Sequence, residues 1–500
     1  MKKRINRFLK FEYGLLFVIV VIGAYLRFSG IFTNSFAFTY DVGRDLLVVW
    51  NIVYLHKVPL IGATTGLQGI FYGPWWYYFL TPFFVIFSGN PEGVAFSMAL
   101  VGVFSIVLGF CLGKKVSGTV LALLLSAFIA VSPALVSLSS QIWNPDVTPM
   151  LALLILIVLD KIYKEDKRQR LNYFLLGILL CLSLDLEIVY GILLAAGIAL
   201  SLLLFAKKDD FFKKAGSFIL GFLVILLPRI AFELRHNFLM TKSLIGIFTH
   251  GLGHGSQVTT VSSYLSIRTG TVLDQFNSTL ALGNMTLGLI VLVFMVVLLP
   301  FLYKRAERHI KLMLNTALIT ILVFIIGVLF LTHDIWPHYL VGLPVFFILV
   351  LAIELTLLYK INKAVPILLG VVLFTINLNP VLIIDGFNRP LWTGNASIYR
   401  NQLQVIDYVY HQADGKNFKY VVYTPPVFDY TYRYLFKWYG SQKYHYLPSQ
   451  KADLAFFIIE PDPGFEGRLR QWLKLREHDG IIVKSKQFPS GIVVQTRAVH

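Results

Sequence analysis

The sequence predicts a polytopic α-helical membrane protein of about 11 transmembrane helices with a small α/β domain at its carboxyl end. Three observations predict it. Hydrophobic residues fill 56% of 500 positions and the mean hydropathy is +0.69, too apolar for a water-soluble chain of this length. Apolar runs of about 20 residues, the length needed to cross a bilayer, recur as far as about residue 382. Beyond about residue 386 the composition becomes that of a soluble domain.

The first apolar run, Tyr13 to Phe32, follows Met1-Lys2-Lys3-Arg4. It is long for a signal peptide and has no small-residue cleavage pattern after it, so it reads as a retained helix with a cytoplasmic amino end. Further spans are expected near 93–113, 118–137, 147–163, 171–184, 187–206, 216–233, 286–303, 311–332, 337–359 and 364–382. Basic residues mark every second connection: Lys114-Lys115, Lys161 to Arg170, Lys207 to Lys214, Lys304 to Lys311, and Lys360 with Lys363. That alternation is the positive-inside pattern. It requires the short apolar segment Trp75 to Gly89, interrupted by Pro82, to lie at the outer interface instead of spanning. A tilted twelfth span is the alternative. The expected division is a membrane domain over 1–385, with a first outer loop at 33–92, and an extracytoplasmic domain over 386–500.

In that last domain Ile398 to His411 and Gly467 to Arg476 read as helices, Tyr420 to Tyr423 and Leu454 to Ile459 as strands, and Gly480 to Val493 as a terminal hairpin. Tyr432, Arg433, Tyr434 and Trp438 would suit stacking on sugar rings, or equally packing against the domain's own sheet. The net charge of +17 does not signal nucleic acid, because much of it sits in short connections facing anionic lipid headgroups. Cys111 and Cys181 both fall within apolar runs, so no disulfide framework is expected. No His or Cys spacing resembles a zinc site and the outer carboxylates are scattered, which leaves a divalent ion unassigned.

With sides assigned, the chemistry-bearing residues gather on the outer face. Asp41, Arg44 and Asp45 follow the first span, where charges are costly unless they act. A carboxylate can take a proton from a hydroxyl, and a guanidinium can grip a phosphate. The other outer groups are Tyr72, Asn144 and Asp146, Asp185 with Glu187, Arg235 and His236 in a long loop from about Glu233 to Asn284, and His338 with Tyr339 after Thr332 to Pro337. Asp41 could instead cap a helix, Asp146 could cap the span after it, and Asp185 with Glu187 could mark a plain turn.

These segments together resemble the GT-C fold glycosyltransferases that use polyprenyl-phosphate sugars. Among these they look like glycosyltransferase family 39, which includes protein O-mannosyltransferases and the lipid A aminoarabinose transferase. Asp41-Val42-Gly43-Arg44 resembles the family's acidic pair and arginine after the first span, with Val42 in the second acidic place and Asp45 nearby. Phe71-Tyr72-Gly73-Pro74-Trp75 resembles its aromatic-proline segment, with Gly73 where some members carry a phosphate-binding lysine or histidine. Ile142 to Asp146, Glu233 to His236 and His338-Tyr339-Leu340 resemble further motifs of bacterial members.

The resemblance implies transfer, with inversion, of a sugar from a polyprenyl-phosphate donor to an envelope acceptor, with no cofactor. It implies Asp41 or Asp45 as catalytic base, and Arg44, Arg235, His236, His338 and Tyr339 around the donor phosphate. Tyr72, Asn144, Asp146, Asp185 and Glu187 would meet substrate. A flippase of lipid-linked glycans and an inactive envelope-assembly subunit are the competing classes. A transporter should show repeated halves and polar residues at the membrane midplane, and this chain gathers its polar residues at one face.

Overall fold

In the computed structural model, residues 2–250, 261–331, 335–378, 395–425 and 428–499 are described. Helix α1 (Lys2–Phe32) is followed by two shorter helices, α2 (Tyr40–Leu55) and α3 (Trp75–Ile86), before α4 (Pro91–Val116). Next come α5 (Thr119–Val131), α6 (Pro133–Ser139), a 3-10 turn at Asn144–Val147, α7 (Thr148–Tyr163), α8 (Gln169–Leu186), α9 (Ile188–Phe205) and α10 (Phe211–Arg235). The membrane part continues through α11 (Leu239–His250), α12 (Val261–Leu280), α13 (Met285–Arg305), α14 (Arg308–Phe330), α15 (Leu343–Tyr359) and α16 (Ala364–Asn377).

Eight helices among the described residues are long and apolar enough to cross a membrane, or nine if α5 and α6 count as one bent span. The other two expected spans, α7 and α16, are 16 and 14 residues long. At 12 residues α3 is too short to cross, in keeping with an interfacial helix.

Local chemistry explains the breaks. α5 and α6 meet at 61°, where Pro133 has no N–H to offer the carbonyl of Ile129. Arg27, buried inside α1, supplies the missing donors: its guanidinium bonds the carbonyls of Ile129 and Ala130 at 2.9 Å each. Glu187, in an extended conformation, divides α8 from α9, and its carboxylate accepts from the N–H of Val189.

One expectation is corrected. The expected outer loop from Glu233 to Asn284 contains α11 and α12. Polar residues dilute the apolar pattern of α12 below a spanning signal, yet the helix is anchored at its end. Ser132 bonds the carbonyl of Thr279 at 3.0 Å, and Asn377 bonds that of Leu280 at 2.8 Å. The expected domain boundary near 385, the end of the last span and Thr332 to Asp334 lie outside the described residues.

The basic connections meet at one end of the bundle. Lys164 bonds the carbonyl of Lys115 at 2.6 Å, His309 pairs with Asp160 at 2.7 Å and Lys360 with Glu307 at 2.9 Å, while Lys207 pairs with Glu165. Asp185 and Glu187 sit at the other end of α8, which leaves the basic α7–α8 connection at Gln169.

There the carboxyl-terminal part packs on the first connection. It comprises α17 (Tyr399–Ala413), β1 (Phe418–Tyr423), α18 (Tyr430–Leu435) running into a π-helical segment at Phe436–Tyr444, β2 (Leu454–Ile459), α19 (Glu466–Leu475), β3 (Ile481–Gln487) and β4 (Val493–Ala498). The sheet order is β1-β2-β4-β3, with β1 and β2 parallel and the other pairs antiparallel. One hydrophobic core runs from Phe38, Val42, Leu46 and Trp76 of the first connection into Val405, Tyr432, Phe436 and Phe456 of this part. Tyr432 and Tyr434 are wholly buried in it and unable to stack on sugar, as the packing alternative required.

Candidate active site

The site is assembled on α2. Thr39 precedes its first turn without a side-chain cap, and Asp41 lies within that turn, so Asp41 is not the cap residue. Residues three and four apart share a helix face. Arg44 therefore reaches Asp41 at 2.7 Å and turns its other edge to Asp45, with contacts of 2.8 and 2.9 Å. The indole N–H of Trp76 donates to the second oxygen of Asp45 at 2.8 Å. Asp45 is thereby sealed and bonded on both oxygens, whereas the Asp41 side chain keeps 22% of its surface open. Val42 points into the shared core at 2% exposure, so an acid in its place would be buried.

Burial raises both carboxylates above the usual aspartate range and Arg44 opposes it; Asp45 is pushed up to about 6. For Arg44, burial works against the charge, but the two aspartates outweigh it and hold the guanidinium protonated.

A second group of residues stands on the segment 72–75 and the α8–α9 break. The Tyr72 hydroxyl donates to Glu187 at 2.9 Å, and His338 comes within 3.9 Å of the same oxygen. Burial pushes Glu187 up to about 7 against the bonds from Tyr72 and the Val189 N–H. The rings of Tyr339 and Trp143 pack against His338 at 4.7 and 4.9 Å. Asn144 bonds the carbonyl of Leu186, bracing the break instead of presenting its amide.

Asp185 and Glu187 form more than a plain turn. Asp185 pairs at 2.8 Å with Arg229, a buried residue of α10 that sequence reading missed. Its backbone carbonyl accepts from the N–H of Gly73 at 3.0 Å. A Cβ built on Gly73 would fall 1.6 to 1.7 Å from the Asp185 carboxylate, so this carboxylate fills the space a side chain at 73 would need. A charge inside an apolar span was the available signal for Arg229, and for Arg27 as well.

Other expected residues lie elsewhere. Asp146 caps nothing: it is 3% exposed with both carboxylate oxygens unbonded, facing a cavity of about 20 Å³ that Arg27 also lines. The 3-10 turn around Pro145 places it in that cavity. Arg235 and His236 are exposed at the end of α10, with His236 stacked on Phe232 at 4.1 Å.

The carboxyl-terminal part touches α2 between its charged residues. A Cβ on Gly43 would lie 2.5 Å from the backbone nitrogen of Thr431 and 2.6 Å from the carbonyl carbon of Tyr430, so only glycine permits this approach. Tyr434 bonds the carbonyl of Gly89, and Trp438 that of Ser88 at 2.9 Å.

Comparison with known proteins follows this geometry. The family model of dolichyl-phosphate-mannose-protein mannosyltransferases matches residues 72–232. The ArnT structure of Cupriavidus metallidurans bound to undecaprenyl phosphate superposes with a TM-score of 0.56 at 11% identity, covering 98% of each chain. Its apo form gives 0.57 at 10% identity, over 99% of this chain and 98% of that one. The apo oligosaccharyltransferase of Archaeoglobus fulgidus gives 0.45 at 13% identity, over 85% of this chain and 59% of its own. No curated protein matches the sequence. The chain has the GT-C fold of ArnT, and the resemblance to family 39 stands on that fold together with the family match in the segment from Tyr72 through the α8–α9 break to Phe232.

Proposed function

We propose that the chain is an inverting glycosyltransferase that moves a sugar from a polyprenyl-phosphate donor to an envelope acceptor on the outer face of the membrane. The observation that carries this reading is Asp41, an accessible carboxylate held by Arg44. The ArnT-like fold and the mannosyltransferase family match support it.

Asp41 is the base. As the acceptor hydroxyl attacks the anomeric carbon, its proton passes to Asp41. The new C–O bond forms while the bond from the anomeric carbon to the phosphate oxygen breaks, and the lipid phosphate leaves with the electron pair. Raising Asp41 above the ordinary range makes it a stronger proton acceptor once ionised.

Asp41, Arg44 and Asp45 carry two negative charges against one positive, a setting that favours proton uptake and repels phosphate. Arg44 is therefore assigned to orienting Asp41, and Asp45 to fixing Arg44. His338 and Tyr339 are assigned to the leaving phosphate, with Glu187 and Tyr72 contacting the sugar hydroxyls, and the buried Arg229 is assigned to holding Asp185. Arg235 and His236, the outermost cations of α10, are assigned to the lipid carrier's headgroup region.

The test is transfer of radiolabelled sugar from undecaprenyl-phosphate donors to envelope extract by the protein in nanodiscs, with NMR of the product's anomeric carbon. Transfer with inverted configuration is expected. Retained configuration would remove the single-displacement mechanism. Donor binding without transfer would favour a flippase or an inactive assembly subunit.

A further inference from the structure

Three aromatic rings stand in a row at the foot of the proposed base. Tyr40, the residue before Asp41, stacks on Phe428 with centroids 6.4 Å apart and planes 28° apart. Phe428 stacks in turn on Tyr430 at 5.6 Å and 11°. Phe428 is 56% exposed, and Tyr40 and Tyr430 are half-buried.

The row belongs to the surface. Helix α18 turns Tyr432 and Tyr434 wholly into the core, while Tyr430 and Arg433 stay on its outer side. The contact of the Tyr430–Thr431 backbone with Gly43 fixes the row's distance from Asp41 and Arg44. Charged groups rim it: Asp429 pairs with Arg433 at 2.6 Å, and that guanidinium lies 5.7 Å from the centre of the Tyr430 ring.

We propose that Tyr40, Phe428 and Tyr430 form a shelf that binds the acceptor, and that the acceptor is a glycan. A sugar ring presents positively polarised C–H groups on one face, which match the negative face of an aromatic ring. Its edge presents hydroxyls, which Asp429, Arg433 and Asp41 would meet as donors and acceptors. A hydrocarbon tail on this row would strip water from those charges without replacing their bonds. The assignment rests on Asp41 as the base, since the shelf places a ring hydroxyl beside it.

Binding tests the shelf separately from turnover. Saturation-transfer NMR on the full-length protein in nanodiscs would use chitotetraose and an α-linked mannotetraose, with wild type, Phe428→Ala and Phe428→Trp. The shelf predicts transfer to ring C–H protons of at least one glycan, weakened in Phe428→Ala and kept in Phe428→Trp. It also predicts an affinity about tenfold weaker in Phe428→Ala, the loss of about one aromatic contact. No binding of either glycan, or equal binding by wild type and Phe428→Ala, would overturn it. Glycan bound on the shelf without transfer from any lipid-phosphate donor would uphold the shelf and count against the glycosyltransferase reading.

Discussion

At the scale of single residues, the site depends on where side chains are absent as much as on where they are present. Gly73 leaves the volume that the Asp185 carboxylate occupies, and Asp185 in turn neutralises the buried Arg229. Replacing Gly73 by alanine is expected to displace Asp185 and loosen that pair, at about 1–3 kcal/mol for overpacking a filled site. Thermal unfolding and transfer rate should both fall, and unchanged values would mean that Asp185 has room to move. Asp41, Arg44 and Asp45 were legible in the sequence because three charges just after a membrane span stand out. Arg229 carried the signal of a charge inside an apolar span, but its partner Asp185 is distant in sequence, so the pair was not legible. Asp146 misled for the opposite reason: its outer-loop position was legible, but the inward direction of its side chain is set by packing around the 3-10 turn.

At the scale of elements, α2 is held between α3 and α18. Gly43→Val would drive a side chain into the Tyr430–Thr431 backbone, which cannot yield as a side chain can. The expected result is loss of activity with a fall in melting temperature, read by transfer assay and scanning fluorimetry. Beneath α18, the buried Glu460 accepts from Tyr432 at 2.8 Å and from Thr424. Burial pushes Glu460 up to about 7 from an ordinary value of 4.5, against those hydrogen bonds. Between these values the folded state holds a proton that the unfolded state releases, so stability falls as pH rises through about 7. Unfolding measured from pH 5 to 8 should show that decline, and Glu460→Gln should flatten it. Helices α17 and α19 and strands β1 and β2 were legible from alternation and amphipathic spacing, with β2 matching at both ends, whereas α18 was not expected and β4 begins where the expected hairpin ended. Helices α11 and α12 were not legible as helices, since their polar residues suited a loop and the anchors of α12, Ser132 and Asn377, lie far off in sequence.

At the scale of the whole molecule, the basic connections at one end and the proposed catalytic cluster at the other define a polarity that the sequence already carried in its lysines. We assign the basic end to the cytoplasm. In a Cys111→Ser background, Lys208→Cys in the α9–α10 connection should react with a membrane-impermeant maleimide only after permeabilisation, and Gln450→Cys in the carboxyl-terminal part before it. The reverse order would place the site on the cytoplasmic face and end the case for an outer-leaflet donor. The core shared between the first connection and the carboxyl-terminal part was not legible, because it joins segments from opposite ends of the chain.

The most direct test of the central claim compares Asp41→Asn with Asp45→Asn in single-turnover transfer from a saturating lipid-phosphate sugar, with donor affinity measured in parallel. If Asp41 is the base, Asp41→Asn lowers the transfer rate about 10²- to 10⁴-fold with donor affinity kept. Asp45→Asn then has the smaller effect, because it loosens Arg44 without removing the proton acceptor. Transfer by Asp41→Asn at the wild-type rate, or a larger loss in Asp45→Asn, would contradict the account.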